Sequence, residues 1–88
     1  MKEPVDSVEL YSAIQAHDTE AQRTAFEVLS VQLLRIARSM LREQPDGDDL
    51  AEDCVQMALI KIRHNLAQCR NPAAFREWAA QVLRRIVI

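Results

Sequence analysis

The sequence predicts an all-α fold, a compact bundle of about four helices in a single domain. Turn residues are scarce, with one Gly and three Pro among 88 residues, whereas strand-and-turn proteins need such residues every few positions. Apolar residues instead recur at spacings of three and four, which is the period of an amphipathic helix. A chain of this length builds one domain with a thin core that all helices must share.

The first two predicted helices each begin at a capping pattern. The first covers residues 7–16, with Asp6 as its N-cap. The second covers about residues 19–42, with Thr19 and Gln22 at the spacing of a capping box. The apolar stripe predicted for the first helix is Val8, Tyr11, Ala13 and Ile14. That of the second is Ala25, Phe26, Leu29, Leu33, Ile36, Ala37 and Met40.

Two more helices follow the single Gly. The third covers about residues 49–66, with Asp48 or Asp49 as its cap. The pair Asn71 and Pro72 predicts the start of the fourth, because Asn is a good N-cap and Pro suits the first helical position. The inward stripe of the third is Ala51, Cys54, Val55, Ala58, Leu59, Ile62 and Leu66. That of the fourth is Phe75, Trp78, Ala79, Val82 and Ile86.

Composition and charge narrow the function classes. A single Gly cannot supply the glycine-rich loops that hold nucleotide phosphates. No apolar run is long enough for a membrane span, so the chain is predicted to be cytoplasmic. Residues 1–53 hold five basic and twelve acidic residues, a net charge of −7, whereas residues 54–88 hold six and one, a net charge of +5. A basic end of this kind suggests a nucleic-acid partner.

The residue types of the chain give little indication of a catalytic site or a metal site. No recognisable triad or zinc motif occurs, so no catalytic residue, metal or cofactor is predicted. Cys54 and Cys69 are predicted to be free thiols that are buried or half-buried, because two cysteines without further metal-ligand spacing indicate neither a zinc site nor a structural disulfide. The acidic cluster at the start of the third helix is interpreted as capping and dipole-stabilising: Asp46, Asp48, Asp49, Glu52 and Asp53.

The outward face of the third helix carries an apolar residue among polar ones. At about 100° per residue, Asp53, Gln56, Ile60 and His64 align opposite the core stripe, with Met57 beside them. An apolar centre with a polar rim is a small version of a protein contact patch. An isolated exposed apolar residue is also common on ordinary surfaces, so periodicity leaves both interpretations open.

The loop before the fourth helix and that helix concentrate positive charge. Arginine suits phosphates and can read or stack on bases, and an aromatic beside a basic groove suits unpaired bases. The candidate DNA-binding residues are Gln68, Arg70, Asn71, Arg76, Trp78, Gln81, Arg84 and Arg85. Trp78 is predicted to be a core residue with one partly exposed edge.

Three segments in order resemble the bacterial RNA polymerase sigma factors, most of all their extracytoplasmic-function group. Residues 50–56, LAEDCVQ, are similar to the AEDLVQE helix of that family. Residues 75–78, FREW, followed by Val82 and Arg84, are similar to its FRAW helix. Upstream, residues 25–27, AFE, begin a segment similar to the opening AFEALY helix. The resemblance covers about residues 24–88 and implies region two of a sigma factor.

What the resemblance implies is a promoter-melting domain that is not an enzyme. In the family, the AEDLVQE helix binds the clamp helices of the largest subunit of core RNA polymerase, which assigns polymerase binding to Asp53, Gln56, Met57 and Ile60. The loop and last helix capture unpaired non-template bases of the minus-ten element, which assigns residues 68–71 and the basic residues of the fourth helix to single-stranded promoter DNA. The family also implies an anti-sigma factor as a further partner.

The sequence departs from the family pattern at several positions. Met57 stands where Glu is usual, and Cys54 replaces a Leu. Arg63 stands where many members have Trp, and Ala80 where an aromatic residue is frequent. Arg85 falls where a base-reading Asn is common.

Two other functions fit the residues. One is a DNA-binding regulator of the helix-turn-helix type, and the other is a helical protein-interaction module without transcription activity. The first predicts tight binding to duplex DNA with a steep salt dependence, and the second predicts no polymerase-dependent initiation. The apolar residues 86–88 carry no helix stop signal, from which we expect the chain to be the N-terminal part of a longer protein.

Overall fold

The computed structural model of the protein describes residues 6–87, which form four α-helices and two short 3-10 segments. The helices are α1 (Ser7–Gln15), α2 (Thr19–Met40), α3 (Gly47–His64) and α4 (Phe75–Val87). The connection between α3 and α4 contains the 3-10 segments Leu66–Gln68 and Pro72–Ala74. Residues 6–87 contain no strand, which confirms the predicted all-α bundle.

Aspartate side chains cap the first two helices. The Asp6 carboxylate accepts a hydrogen bond from the backbone N–H of Glu9 at 2.8 Å, as predicted. α2 begins at Thr19 as predicted, but the predicted capping box of Thr19 and Gln22 was wrong, because the Asp18 carboxylate caps the helix by accepting from the N–H groups of Glu20 and Ala21. Asp and Thr are both favourable N-cap residues, so residue type alone does not decide between positions 18 and 19.

The Gln22 side chain joins α2 to the end of α1 instead of closing a capping box. Its amide donates to the backbone carbonyl of Ile14 at 2.9 Å and to that of Ala16 at 2.6 Å. These carbonyls belong to the last turn and C-cap of α1, where helical partners run out. One side chain therefore satisfies two otherwise unpaired carbonyl groups and ties the end of α1 to the first turn of α2.

The third helix begins two residues earlier than predicted. Asp46 occupies its cap position without a side-chain hydrogen bond, so the prediction of Asp48 or Asp49 as the cap was wrong. Both aspartates lie in the first turn, where a negative charge favours the helix dipole. The predicted N-cap residue of the fourth helix is confirmed, because the Asn71 side chain accepts a hydrogen bond from the backbone N–H of Ala73 at 3.1 Å. The first turn is 3-10, however, and α4 proper begins at Phe75.

The core lies where α2 packs against the other three helices and α3 packs against α4. Its fully buried large side chains are Leu10, Leu29, Leu33, Ile62, Phe75 and Leu83. Val8 and Met40, both predicted to face inward, are 49% and 41% exposed. The buried face of α1 runs through Ser7, Leu10 and Ile14, which turns Val8 outward, and Met40 is the last residue of α2.

The first helix closes over the start of α4. The buried Ser7 hydroxyl accepts a hydrogen bond from the backbone N–H of Arg76 at 3.1 Å. The Tyr11 ring meets the Phe75 ring edge-on, with 5.8 Å between centroids. An edge-to-face pair of this kind stabilises by about 1 kcal/mol beyond its buried area. α1 thereby holds the first turn of α4, which follows the loop predicted to bind DNA.

Gly47→Ala is expected to lower the free energy of unfolding by about 1–3 kcal/mol, as overpacking against rigid backbone does. A Cβ atom at this position would collide with the backbone carbonyl oxygen of Leu41, so the start of α3 would have to shift. Urea unfolding followed by circular dichroism measures the change. The control is Glu43→Ala at an exposed position of the preceding turn, with an expected change below about 0.5 kcal/mol. Unchanged stability of Gly47→Ala would contradict this close approach.

Candidate functional site

The outward face of α3 presents the four residues expected to meet a protein partner. Asp53, Gln56, Met57 and Ile60 are all exposed, and the two apolar members are 52% and 59% exposed. The predicted exposure of Ile60 is therefore confirmed. We call this set the α3 face. Its apolar centre and polar rim have the layout of a desolvating contact patch.

An apolar cavity borders this surface between the start of α2 and the second half of α3. It measures about 400 Å³ and includes Phe26, Leu59, Ile60 and Arg63 in its lining. The Arg63 guanidinium carbon lies 4.9 Å from the centroid of the Phe26 ring, a cation–π contact. Arg63 therefore covers one face of an aromatic ring. This contact could not be predicted from helical periodicity, because Phe26 and Arg63 lie on different helices.

The candidate DNA-binding residues are exposed, apart from Trp78, which is half-buried as predicted. They do not form one surface, because α4 has a neighbour on each side. Gln68, Trp78 and Arg85 line a groove beside α3, whereas Arg76, Gln81 and Arg84 line a groove beside α2. The lining of these two grooves does not include Arg70 or Asn71.

The groove between α3 and α4, which we call the Trp78 groove, measures about 230 Å³. It is lined by Lys61, Asn65, Gln68, Trp78, Val82 and Arg85. The Asn65 amide donates to the carbonyl of Lys61 at 2.9 Å, and its oxygen accepts from the Gln68 amide at 3.4 Å. The groove thus combines an aromatic ring, ordered amides and two cations. Sequence reasoning missed Lys61 and Asn65, which come from the end of α3.

The groove between α2 and α4, which we call the Arg35 groove, measures about 610 Å³. Its lining includes Gln32 and Arg35 of α2, which the sequence analysis did not assign to a site. Both are polar residues off the apolar stripe of α2. Nothing in the periodicity shows that α4 places its own arginines opposite them.

A buried thiol anchors the loop that leads to α4. Cys69 is only 5% exposed, and its Sγ atom lies 3.5 Å from the backbone oxygen of Asn71. Burial raises the pKa of the Cys69 thiol, an effect partly opposed by hydrogen bonding to the Asn71 backbone. Cys54 is half-buried, and both thiols are free, as predicted.

Cys69 is expected to react with iodoacetamide at least about tenfold more slowly than Cys54 at mildly alkaline pH, since only the thiolate is reactive. Its raised pKa keeps the thiolate fraction low, so the difference should narrow as pH rises towards that pKa. Mass spectrometry of the alkylated peptides measures both rates. In urea the two rates should converge. Equal rates in the folded protein would contradict the burial of Cys69.

The acidic cluster at the start of α3 stays on the surface. Asp46, Asp48, Asp49, Glu52 and Asp53 are all exposed, and Arg38 of α2 lies 3.6 Å from an Asp48 oxygen. Among residues 6–87, no group of three or more potential ligands is arranged to hold a metal ion. Over the same range, no helix combines the length and apolar character needed to cross a membrane.

Comparison with protein families matches most of the chain. The family model for sigma-70 region 2 matches residues 25–88, a span that includes most of α2 and all of α3 and both grooves beside α4, and that leaves α1 outside. Comparisons with curated proteins and with solved structures give no match.

Proposed function

The chain belongs to the sigma-70 region 2 family, and we propose that it docks on core RNA polymerase through the α3 face and holds unpaired promoter bases in the Trp78 groove. Family members are non-catalytic transcription initiation factors that bind core polymerase and promoter DNA. The proposal assigns these two tasks to separate surfaces, with the bacterial cytoplasm as the place of action. The extracytoplasmic-function group is the subgroup we propose.

The single observation that carries the docking proposal is the exposure of Met57 and Ile60 on one face of α3. Both side chains remain more than half exposed, so docking would remove further apolar surface from solvent. Full burial of such a side chain from complete exposure contributes about 1.5–3 kcal/mol, and roughly half of that is still to be gained at each residue. Asp53 and Gln56 beside them give polar contacts that select the partner's orientation. The clamp helices of the largest polymerase subunit are the proposed partner.

Strand capture is supported by the residue types of the Trp78 groove. The half-buried Trp78 ring offers an apolar surface for stacking, and the Asn65 and Gln68 amides offer hydrogen bonds to a base edge. Lys61 and Arg85 supply positive charge for the adjoining phosphates. Arg85 stands where a base-reading Asn is common in the family. We therefore propose that the amides of Asn65 and Gln68, at the end of α3 and in the loop, contact the base.

Promoter melting has a free-energy cost that binding of the unpaired bases must help to offset. Opening duplex DNA costs about 1.4 kcal/mol per stacked step, while stacking a base on an aromatic side chain returns about 1–3 kcal/mol. One captured base thus offsets one or two broken steps. Polymerase must supply the remainder, because the chain carries a net charge of −2 and the Trp78 groove offers one aromatic ring for stacking.

The test uses the whole chain with core polymerase and a labelled single-stranded oligonucleotide that carries a non-template minus-ten element. Trp78→Leu should weaken capture by about tenfold, the loss of one stacked base, while Arg38→Gln, which lies outside the Trp78 groove, should not. Unchanged capture by Trp78→Leu, with the variant folded, would refute base capture there. Polymerase binding without any strand capture would leave an interaction module, and tight duplex binding without polymerase would leave a helix-turn-helix regulator.

A further inference from the structure

Three arginines from two helices line the Arg35 groove: Arg35 of α2, and Arg76 and Arg84 of α4. We infer that this groove binds the phosphodiester backbone of single-stranded DNA, with Arg35 as a contact that α4 alone does not supply. The inference rests on the proposed capture of promoter DNA and adds a second contact surface to it.

The positions of the arginines suit an extended anionic ligand. Arg76 and Arg84 are eight residues apart on α4, which places them about 12 Å apart along the helix at about 1.5 Å per residue. Arg35 reaches the same groove from the opposite wall. Arg35 and Arg84 therefore present guanidinium groups from opposite walls of the groove.

The lining favours phosphate over a neutral or cationic ligand. Even without Arg76, the guanidinium groups of Arg35 and Arg84 outnumber the single carboxylate, that of Glu77, and leave the lining with a positive net charge. The amides of Gln32 and Gln81 add further hydrogen-bond donors. Guanidinium binds phosphate oxygens in a fork with two parallel hydrogen bonds. The floor includes the buried side chains of Leu29 and Leu33, and an apolar floor strengthens charge interactions above it.

The position of the Arg35 and Trp78 grooves on the two flanks of one helix favours a polymer as the ligand. The two grooves flank α4, one beside α3 and the other beside α2. A helix with its side chains is about 10–12 Å across, so a strand whose base enters the Trp78 groove can cross α4 within a few nucleotides. A small anion could occupy one groove only, whereas a DNA strand can occupy both.

The experiment measures binding of the full 88-residue chain to a labelled single-stranded oligonucleotide by fluorescence anisotropy over a series of salt concentrations. Arg35→Gln should weaken binding about threefold to tenfold and reduce the slope of log affinity against log salt by about 0.7, the value for one lost phosphate contact on a single strand. Arg38→Gln removes the same charge one turn further along α2, from a side chain that pairs with Asp48. Its salt slope should equal that of the wild type.

Each other outcome overturns the inference. Equal slopes for all three proteins would remove Arg35 from the contact, and an equal loss with Arg38→Gln would indicate diffuse charge. A greater loss on duplex DNA than on the single strand would contradict single-strand binding, as would a lack of oligonucleotide binding at the lowest salt. If Arg35→Gln weakened binding to hexaglutamate as much as binding to the oligonucleotide, the groove would be a general anion-binding surface.

A second oligonucleotide separates failure of this inference from failure of the proposed function. One abasic site in the minus-ten element removes a base and keeps every phosphate. If the abasic strand binds as well as the intact strand while Arg35→Gln still lowers the salt slope, base capture fails and the phosphate contact stands. If the abasic strand binds more weakly and Arg35→Gln has no effect, base capture stands and the Arg35 contact fails.

Discussion

Ile60→Asp is expected to weaken binding to core RNA polymerase by at least about tenfold, the loss typical of a residue at the centre of an interface. Ile60 is 59% exposed, so the substitution removes few contacts within the domain. On docking, the new carboxylate would have to leave water without a partner, which costs more than the apolar contact it replaces. Biolayer interferometry with immobilised core polymerase measures the affinity.

Val31→Asp is the matched control for this experiment. Val31 is 56% exposed and lies on α2, so the substitution makes the same change of charge at an apolar residue of nearly equal exposure. It should leave polymerase affinity within about twofold of the wild type, as expected of a residue outside the contact patch. Equal losses in the two variants would mean that net charge, and not the α3 face, governs binding. Retained affinity in Ile60→Asp would remove Ile60 from the interface.

Phe75→Ala is expected to lower the free energy of unfolding by about 3–5 kcal/mol, the largest stability effect in the domain. The Phe75 ring is fully buried and contacts the rings of Tyr11 and Trp78. A domain of this size has about 4–13 kcal/mol of total stability, so the variant loses a large share of it. Because Phe75 begins α4, both grooves should lose their shape with it.

Phe26→Ala makes the same substitution at a half-buried ring in α2 and serves as the control. Its cost should be smaller, about 1–3 kcal/mol, because less apolar area is lost from the interior. Phe75→Leu keeps most of the buried volume and should cost about 1–1.5 kcal/mol, which preserves a measurable transition if the alanine variant does not fold. Equal costs for the two alanine variants would contradict the central position of Phe75.

The sequence was a good guide to the helices, because each long stripe repeats over several turns. The stripe of α3 from Ala51 to Ile62 predicted both its buried face and the exposure of Ile60. The short α1 was harder. Its nine residues include few apolar repeats, so Val8 was assigned inward and the fully buried Leu10 was missed. The buried face of a helix can be predicted reliably only when apolar residues repeat on it over several turns.

The separation of the DNA candidates into two grooves could not be predicted from periodicity. A helical repeat gives the angle of Arg76, Gln81 and Arg85 around α4, but it does not say which helix lies on either side. That depends on α2 and α3 packing against opposite flanks of α4. Lys61 and Arg35 were missed for the same reason, since they join the grooves only through tertiary packing.

The measurement that tests the docking proposal most directly is the oxidation of two methionines in the presence and absence of core polymerase. Met57, on the α3 face, is 52% exposed, and Met40, at the end of α2, is 41% exposed, so hydroxyl radicals reach both in the free chain. Mass spectrometry reports the rate at each residue. We expect polymerase to protect Met57 and to leave Met40 as reactive as before. Formation of the complex with Met57 unprotected would contradict the docking proposal, as would protection of Met40 in place of Met57.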